Sequence, residues 1–193
     1  FATDPAWRDK SALGGAIGNN STGAHSLQYG KTDAYVESVE AVLADGTVTE
    51  FGEVSLDDLP DLAEGDDLES AIYAEIARIV DEEADLIDER YPDLKRNVSG
   101  YNLDWLVEDA RGASRGVGEP DAEGGIINLA KLLCGSEGTL AVVTEATVSL
   151  EPVPETKGMA LLAYESLGEA MSDVAPIVAH NPAATEVIDD VLL

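Results

Sequence analysis

The chain has 193 residues, 45% of them hydrophobic, which is enough for a real core and removes disorder as the meaning of its polarity. Acidic residues outnumber basic ones 39 to 11, for a net charge of -28. The basic residues form no cluster, which argues against a nucleic-acid partner, and carboxylates spread along the whole chain point to adaptation to high salt, where their repulsion is screened.

A calcium-binding acidic module is the alternative source of such a charge. Its loop needs the spacing D-x-[DN]-x-[DN]-G with a later Glu, and the richest candidate, "DDLPDLAEGDDLE", breaks that spacing. One cysteine, Cys134, excludes an internal disulfide and an all-cysteine metal site. His25 and His180 lie far apart and are expected to be ordinary histidines. No run approaches the roughly 20 apolar residues of a membrane span, and no signal peptide is visible. The chain opens on "FATDPAW" and closes on "DDVLL", and it reads as a piece of a longer polypeptide.

In chain order, the first informative stretch is "GGAIGNNSTGAHSLQYGKT", Gly14 to Thr32. Its end resembles a nucleotide-hydrolase phosphate loop, but that motif needs glycine where His25 stands. Gly14, Gly15 and Gly18 do not make G-x-G-x-x-G, so the Rossmann fingerprint is absent. What the residues do offer is main-chain N–H groups that glycines allow to converge on an anion, with asparagine and serine as neutral donors. A glycine-rich turn without a ligand is the plainer reading.

"SVEAVLADGTVTEFG" alternates apolar and polar residues around Asp45-Gly46, which predicts a β-hairpin with a type I′ turn. "DDLESAIYAEIARIVDEEADLIDERYP" predicts one long helix, with Leu68, Ile72, Ile76, Ile79, Val80, Ile87 and Tyr91 on its apolar face. Asp66 and Glu69 are its expected capping box, and Pro92 its stop. Glu108 to Gly125 has the composition of a surface loop. "NLAKLLCGSEG" suggests a short helix stopped by glycine, "TLAVVTEATVSLEPVP" one or two strands, and "GMALLAYES" another strand. A helix around Leu167 to Ala179 follows, bent or ended by Pro176. Without regular βα alternation, the fold class is α+β. "CGSEG" is a broken nucleophile elbow, with Cys134 in place of its first glycine. Asn20-Ser21-Thr22 and Asn97-Val98-Ser99 are sequons of a kind that arises often by chance.

Three segments in order, "GGAIGNNSTGAHSLQYGKT", "RNVSGYNLD" and "LLCGSEGTLAVVTEATVSL", resemble the FAD-linked oxidases of the vanillyl-alcohol-oxidase type. The likeness is to the branch of D-lactate, glycolate and D-2-hydroxyglutarate dehydrogenases, and among these to the long members fused to an iron–sulfur portion. It implies that residues 1–155 are the second subdomain of a PCMH-type FAD-binding domain, mainly antiparallel sheet with flanking helices. Residues 156–193, through "NPAATEVID", would begin an α+β substrate-binding cap.

Residue by residue, the resemblance implies that Gly14 and Gly15 approach the FAD pyrophosphate, and that Asn19, Asn20, Ser21 and Gly23 lie along the phosphates and ribityl chain. Ser26, Tyr29 and Gly30 continue toward the flavin. Ser99, Gly100 and Tyr101 form the S/T-G-Y stretch near it, with Asn102 where many relatives have Asp. Gly135, Ser136, Glu137 and Gly138 make the G-S-E-G turn. Val142 and Val143 lie against the cofactor, while Ala141 replaces a usual glycine and Gln28 a frequent arginine. By residue type alone, Tyr101 fits a core, Glu137 a helix cap, and Val142 and Val143 an ordinary strand.

The implied activity is oxidation of a 2-hydroxy acid by hydride transfer to flavin. Electrons would pass to an iron–sulfur portion or a membrane quinone, in a cytoplasmic protein that is peripheral to the membrane at most. The family's first FAD subdomain is expected before Phe1. A later cap with catalytic and divalent-metal residues is expected after Leu193. Catalytic residues and metal ligands are therefore not assigned here. Two alternatives stand beside this reading: a non-enzymatic acidic α+β binding module, and a flavin oxidase of another alcohol or sugar.

Overall fold

The computed structural model describes residues 1, 3, 10–94, 96–112 and 125–189. Helices surround two small antiparallel sheets, which is the α+β class expected. The larger sheet has the order β2-β1-β5, with β1 at Val36–Val42, β2 at Val48–Phe51 and β5 at Val142–Val148. Along β1, Val39 and Ala41 turn inward and are fully buried while Glu40 faces water, the period-2 pattern of a half-buried strand. Its partner on the far side, β5, comes from about a hundred residues later, with Val42 opposite Val142 and Val39 opposite Ala146. Two register shifts, between Val36 and Ser38 and between Glu40 and Ala41, bend this pairing.

The β1–β2 hairpin forms as expected, but its turn is of another type. Leu43 N–H donates to Thr47 O and Gly46 N–H to Leu43 O, so three residues, Ala44 to Gly46, close the loop. Only Gly46 has a positive φ, 89°, and Asp45 instead accepts from Thr47 N–H through its side chain. This is the three-residue turn with glycine in the left-handed position, which asks positive φ of one residue where type I′ asks it of two.

The second sheet pairs β3 (Glu53–Ser55) with β4 (Ile126–Asn128), placing Val54 opposite Ile127. Between them in sequence run a short helix α3 (Leu59–Leu62) and the long predicted helix, which is in fact two. These are α4 (Leu68–Glu82) and α5 (Ala84–Arg90). The break falls in the run Asp81-Glu82-Glu83, where three carboxylates oppose the negative end of the helix dipole and one another. The cap is Asp67 rather than Asp66: its carboxylate accepts from Ser70 N–H at 2.8 Å. Of the predicted apolar face, Ile76 and Ile87 are buried, Leu68, Ile72 and Val80 pack against the core, and Tyr73 joins them edge-on to Phe51.

Helix α6 (Leu103–Ala110) has no counterpart in the sequence expectations. It buries Trp105, Leu106, Val107 and Asp109, and its apolar residues Leu103, Leu106, Val107 and Ala110 recur at helical spacing over only two turns. The short helix expected in "NLAKLLCGSEG" is α7 (Leu129–Leu133), capped by Asn128, whose side chain accepts from Ala130 N–H. It packs on β1 and against α6. Residues 113–124 of the expected surface loop lie outside the described residues, and its first residues, Glu108 to Ala110, belong to α6.

After Ala141 no described residue is buried. The strand expected at "GMALLAYES" does not form: Met159 and Leu161 stand 94% and 87% exposed. Its run of apolar residues is compatible with a strand, yet no strand lies beside it among the described residues, and an unpaired strand sends its backbone bonds only to water. Helix α8 (Leu167–Val178) forms as predicted, capped by Ser166, with Pro176 inside its last turn and no buried residue.

Two buried ion pairs lie inside the core. Lys31 Nζ meets Asp33 Oδ2 at 2.9 Å, and Lys131 Nζ meets Asp109 Oδ2 at 3.0 Å. The two ammonium groups lie 5.8 and 5.2 Å from the centre of the Trp105 ring, within cation–π range.

Leu106 is fully buried, so Leu106→Ala is expected to lower the stability of the full-length protein by about 2–5 kcal/mol in a denaturant titration, and Leu106→Met by under about 1.5 kcal/mol. Burial raises the Asp109 carboxyl above its ordinary range, against the pull of Lys131. The folded state then holds that proton more tightly than the unfolded chain. The ionised Asp109 weakens folding once pH passes the raised value, and acidification relieves the cost. Site-resolved carboxyl titration should place Asp109 above an exposed aspartate; a value below it would mean that Lys131 dominates.

Candidate functional site

The glycine-rich stretch folds as a short helix, α1 (Leu13–Gly18), a reversed turn, and a second helical turn, α2 (Ser26–Tyr29). Gly14 and Gly15 sit in the first turn of α1, where main-chain N–H groups have no intrahelical acceptor. An added Cβ at either would meet nothing within 4 Å, so the space beside them is open. Asn19 closes the helix and is exposed, and its Oδ1 accepts from Ser21 Oγ at 2.6 Å. Gly23 O accepts from Ser26 N–H, which starts α2. Tyr29 is half-buried, and Gly30 ends the turn at φ 73° with open space around it.

Asn20 departs from the expectation of a neutral donor facing a ligand. It is fully buried at φ 48°, its N–H is bonded to Ile17 O, and its side chain points into the core. There Asn20 Nδ2 donates to Asp33 Oδ2 at 2.6 Å, and Asn20 Oδ1 accepts from Asp33 N–H at 3.0 Å. Asn tolerates the left-handed conformation better than most residues, and this two-point clasp holds it there. Ser26 is likewise buried.

Asp33 gathers the other two segments as well. Its Oδ2 also accepts from Asn102 Nδ2 at 3.2 Å and pairs with Lys31, whose ammonium donates to Asn97 O at 2.7 Å. Asn102 in turn donates to Lys131 O and Cys134 O, both at 3.1 Å. An aspartate at position 102 would offer no such donor and would set a second carboxylate against Asp33. Main-chain bonds complete the junction: Gly135 N–H donates to Ile17 O and Glu137 N–H to Gly18 O, tying the G-S-E-G turn to the end of α1. Gly135, at φ 86°, is the point where the segments touch, since an added Cβ would stand 3.4 Å from both Asn20 Cβ and Gly100 O. Tyr101 and Thr139 share a hydroxyl–hydroxyl hydrogen bond at 3.0 Å.

Of the remaining residues, Ser99 and Gly100 lie at an exposed turn, Gly100 at φ 83° with open space beside it. Tyr101 is exposed rather than core. Glu137 caps no helix: it is exposed at φ 52°, held through its main chain. Gly138, at φ 75°, also faces open space. Val142 is largely exposed on β5, whereas Val143 packs against the core. Ala141 is buried, its methyl filling core space. The thiol of Cys134 is fully buried, donates to Ala130 O, and is pushed up by desolvation, so it is a core group and not a nucleophile. Among the described residues no helix is long and apolar enough to cross a membrane.

Comparison with known proteins adds a family to this geometry. Residues 1–52, which contain the whole glycine-rich stretch, match the family described as FAD binding domain. The D-2-hydroxyglutarate dehydrogenase of Pantoea ananatis is 29% identical over 193 residues, covering 100% of this chain and 18% of that protein. Glycolate oxidase subunit GlcD of Bacillus subtilis is 29% identical over 191 residues, 98% of this chain and 27% of that one. The D-lactate dehydrogenase of Archaeoglobus fulgidus is 26% identical over 171 residues, 88% of this chain and 24% of that one. The chain thus spans about a fifth of the length of the first of these relatives.

The residues present fit part of such a cofactor site. Gly14, Gly15, Gly30, Gly100 and Gly138 leave open space on three converging segments, and the first turn of α1 offers unsatisfied N–H groups without a cationic side chain. The match over residues 1–52 and the open main chain of the same stretch agree: this part of the chain is similar to the FAD binding domain family.

Proposed function

We propose that this chain is part of an FAD-dependent dehydrogenase that oxidises a 2-hydroxy acid, with D-2-hydroxyglutarate, D-lactate and glycolate as the candidate substrates. The observation that carries the proposal is the alignment of the entire chain with a D-2-hydroxyglutarate dehydrogenase. FAD, when bound, supplies the acceptor for the hydride on the substrate's C2. The part played by this chain is to hold the cofactor. In this reading Gly14, Gly15, Asn19, Ser21 and Gly23 present main-chain and neutral donors to the diphosphate, and Asn20 and Ser26 act from within the core. Tyr29, Gly30, Ser99, Gly100, Tyr101, Gly135, Glu137, Gly138, Val142 and Val143 line the remainder of the cofactor's path. The division at residue 155, with a substrate cap beginning at 156, is supported by β5, Val142–Val148, being the last strand paired into the sheet among the described residues.

The electron acceptor we propose is an iron–sulfur portion or a membrane quinone, with a divalent metal in the cap, in a cytoplasmic protein peripheral to the membrane at most. The excess of 39 acidic over 11 basic residues supports a protein adapted to molar salt.

Full-length protein purified in molar salt is expected to be yellow. Its flavin absorbance should bleach anaerobically on adding one of the three hydroxy acids. A colourless folded protein would favour the binding-module reading, and bleaching by an unrelated alcohol or sugar alone would favour the oxidase. The isolated segment should bind FAD weakly or not at all. Its melting temperature should rise with added salt, and a flat response would remove the argument for salt adaptation.

A further inference from the structure

We propose that Asp33 is a positioning residue of the cofactor site, fixing three separate segments through one buried carboxylate oxygen without touching the cofactor itself. The proposal rests on the FAD reading above for its functional meaning, though its geometry stands apart from that reading. Asp33 is fully buried, and its Oδ2 receives Asn20 Nδ2 from the first segment, Asn102 Nδ2 from the second, and the Lys31 ammonium. Lys31 reaches on to Asn97 O, and Asn102 reaches on to the carbonyls of Lys131 and Cys134, at the entrance to the third segment. Every segment that carries an open glycine is therefore one or two bonds from this oxygen.

The clasp on Asn20 has the most direct consequence. A non-glycine residue at φ 48° is held against its own backbone preference, and the two Asn20–Asp33 bonds supply the restraint. Asn20 follows directly on the turn that ends α1, so releasing it frees the loop that carries Asn19 and Ser21. The same loop end carries Ile17 O and Gly18 O, which accept from Gly135 N–H and Glu137 N–H. Preorganised donors lose affinity when their supporting shell slackens, even if each donor is still present. Gly14, Gly15 and Ser21 would remain chemically intact and become poorly aimed.

Mere destabilisation is separated from positioning by a matched control. Full-length protein is stripped of flavin and titrated with FAD, comparing Asp33→Ala with Leu106→Ala, a core variant remote in chemistry from the clasp. At matched loss of melting temperature, Asp33→Ala is expected to weaken FAD binding by about tenfold or more beyond Leu106→Ala. Asp33→Asn keeps an acceptor oxygen for Asn20 and Asn102 but removes the counter-ion of the buried Lys31 ammonium, so it should recover only part of that loss. If Asp33→Ala does not fold, Asn20→Gly takes its place: it retains the left-handed backbone and removes only the clasp, and it should show the same excess loss of affinity.

Amide hydrogen exchange in the flavin-free protein gives a second readout that needs no cofactor. The N–H groups of Ser21, Gly135 and Glu137 should exchange faster in Asp33→Ala and Asn20→Gly than in Leu106→Ala. Affinity that tracks melting temperature alike in all variants, with unchanged exchange at these three amides, overturns the proposal. If the wild-type protein takes up no FAD, the FAD reading fails. The exchange result then still decides whether Asp33 orders the three segments.

Discussion

A single buried carboxylate oxygen holds the glycine-rich end of this molecule together. Asp33 Oδ2 accepts from two amides and an ammonium while fully removed from water. Burying that charge costs several kcal/mol, which the three donors on Oδ2 must offset alone, since the buried Oδ1 has no hydrogen-bond partner. The arrangement therefore tends to be complete or to fail as a unit, because removing one partner leaves the others desolvated and unpaired. The same logic governs Lys131 and Asp109, also close to Trp105, where burial still raises the acid against its partner's attraction.

Around this centre the glycines divide into two kinds. Gly135 has a left-handed backbone, φ 86°, and stands where three stretches of chain meet, so that an added Cβ would touch Asn20 and the Gly100 carbonyl at 3.4 Å. Gly14, Gly15, Gly30, Gly100 and Gly138 have nothing near them to avoid. For Gly30, Gly100 and Gly138 a positive φ is one sufficient reason. Gly14 and Gly15 lie in helix α1, where glycine is a poor choice by about 1 kcal/mol each relative to alanine, and neither packing nor dihedral angle explains them. Their openness is what a ligand's close approach to the main chain requires.

Much of this was legible in the chain because the signals were local. The hairpin at Asp45-Gly46, the apolar face of α4, the glycine stop after α7 and the helix α8 with Pro176 near its end all depend on residues within a few positions of one another. What escaped was long-range. Asn20 looked like a free donor because nothing nearby announces Asp33 as its partner, thirteen residues on. Lys31 looked like the tail of a failed phosphate-loop motif, and it turned out to be the counter-ion of the core. Helix α6 was missed since its stripe of Leu103, Leu106, Val107 and Ala110 lasts only two turns, and the strand at 158–166 was overcalled because an apolar run marks propensity while only a neighbour makes a strand.

The excess of acid is thus a surface property, and the interior is built from paired charges. The closeness of Trp105 to two ammonium groups has an optical consequence. Excitation moves electron density across an indole, so its emission energy registers the charges beside the ring. Any event that shifts Lys31 or Lys131 by an ångström writes itself into the colour of that fluorescence, giving the molecule an internal gauge at the junction of its three segments.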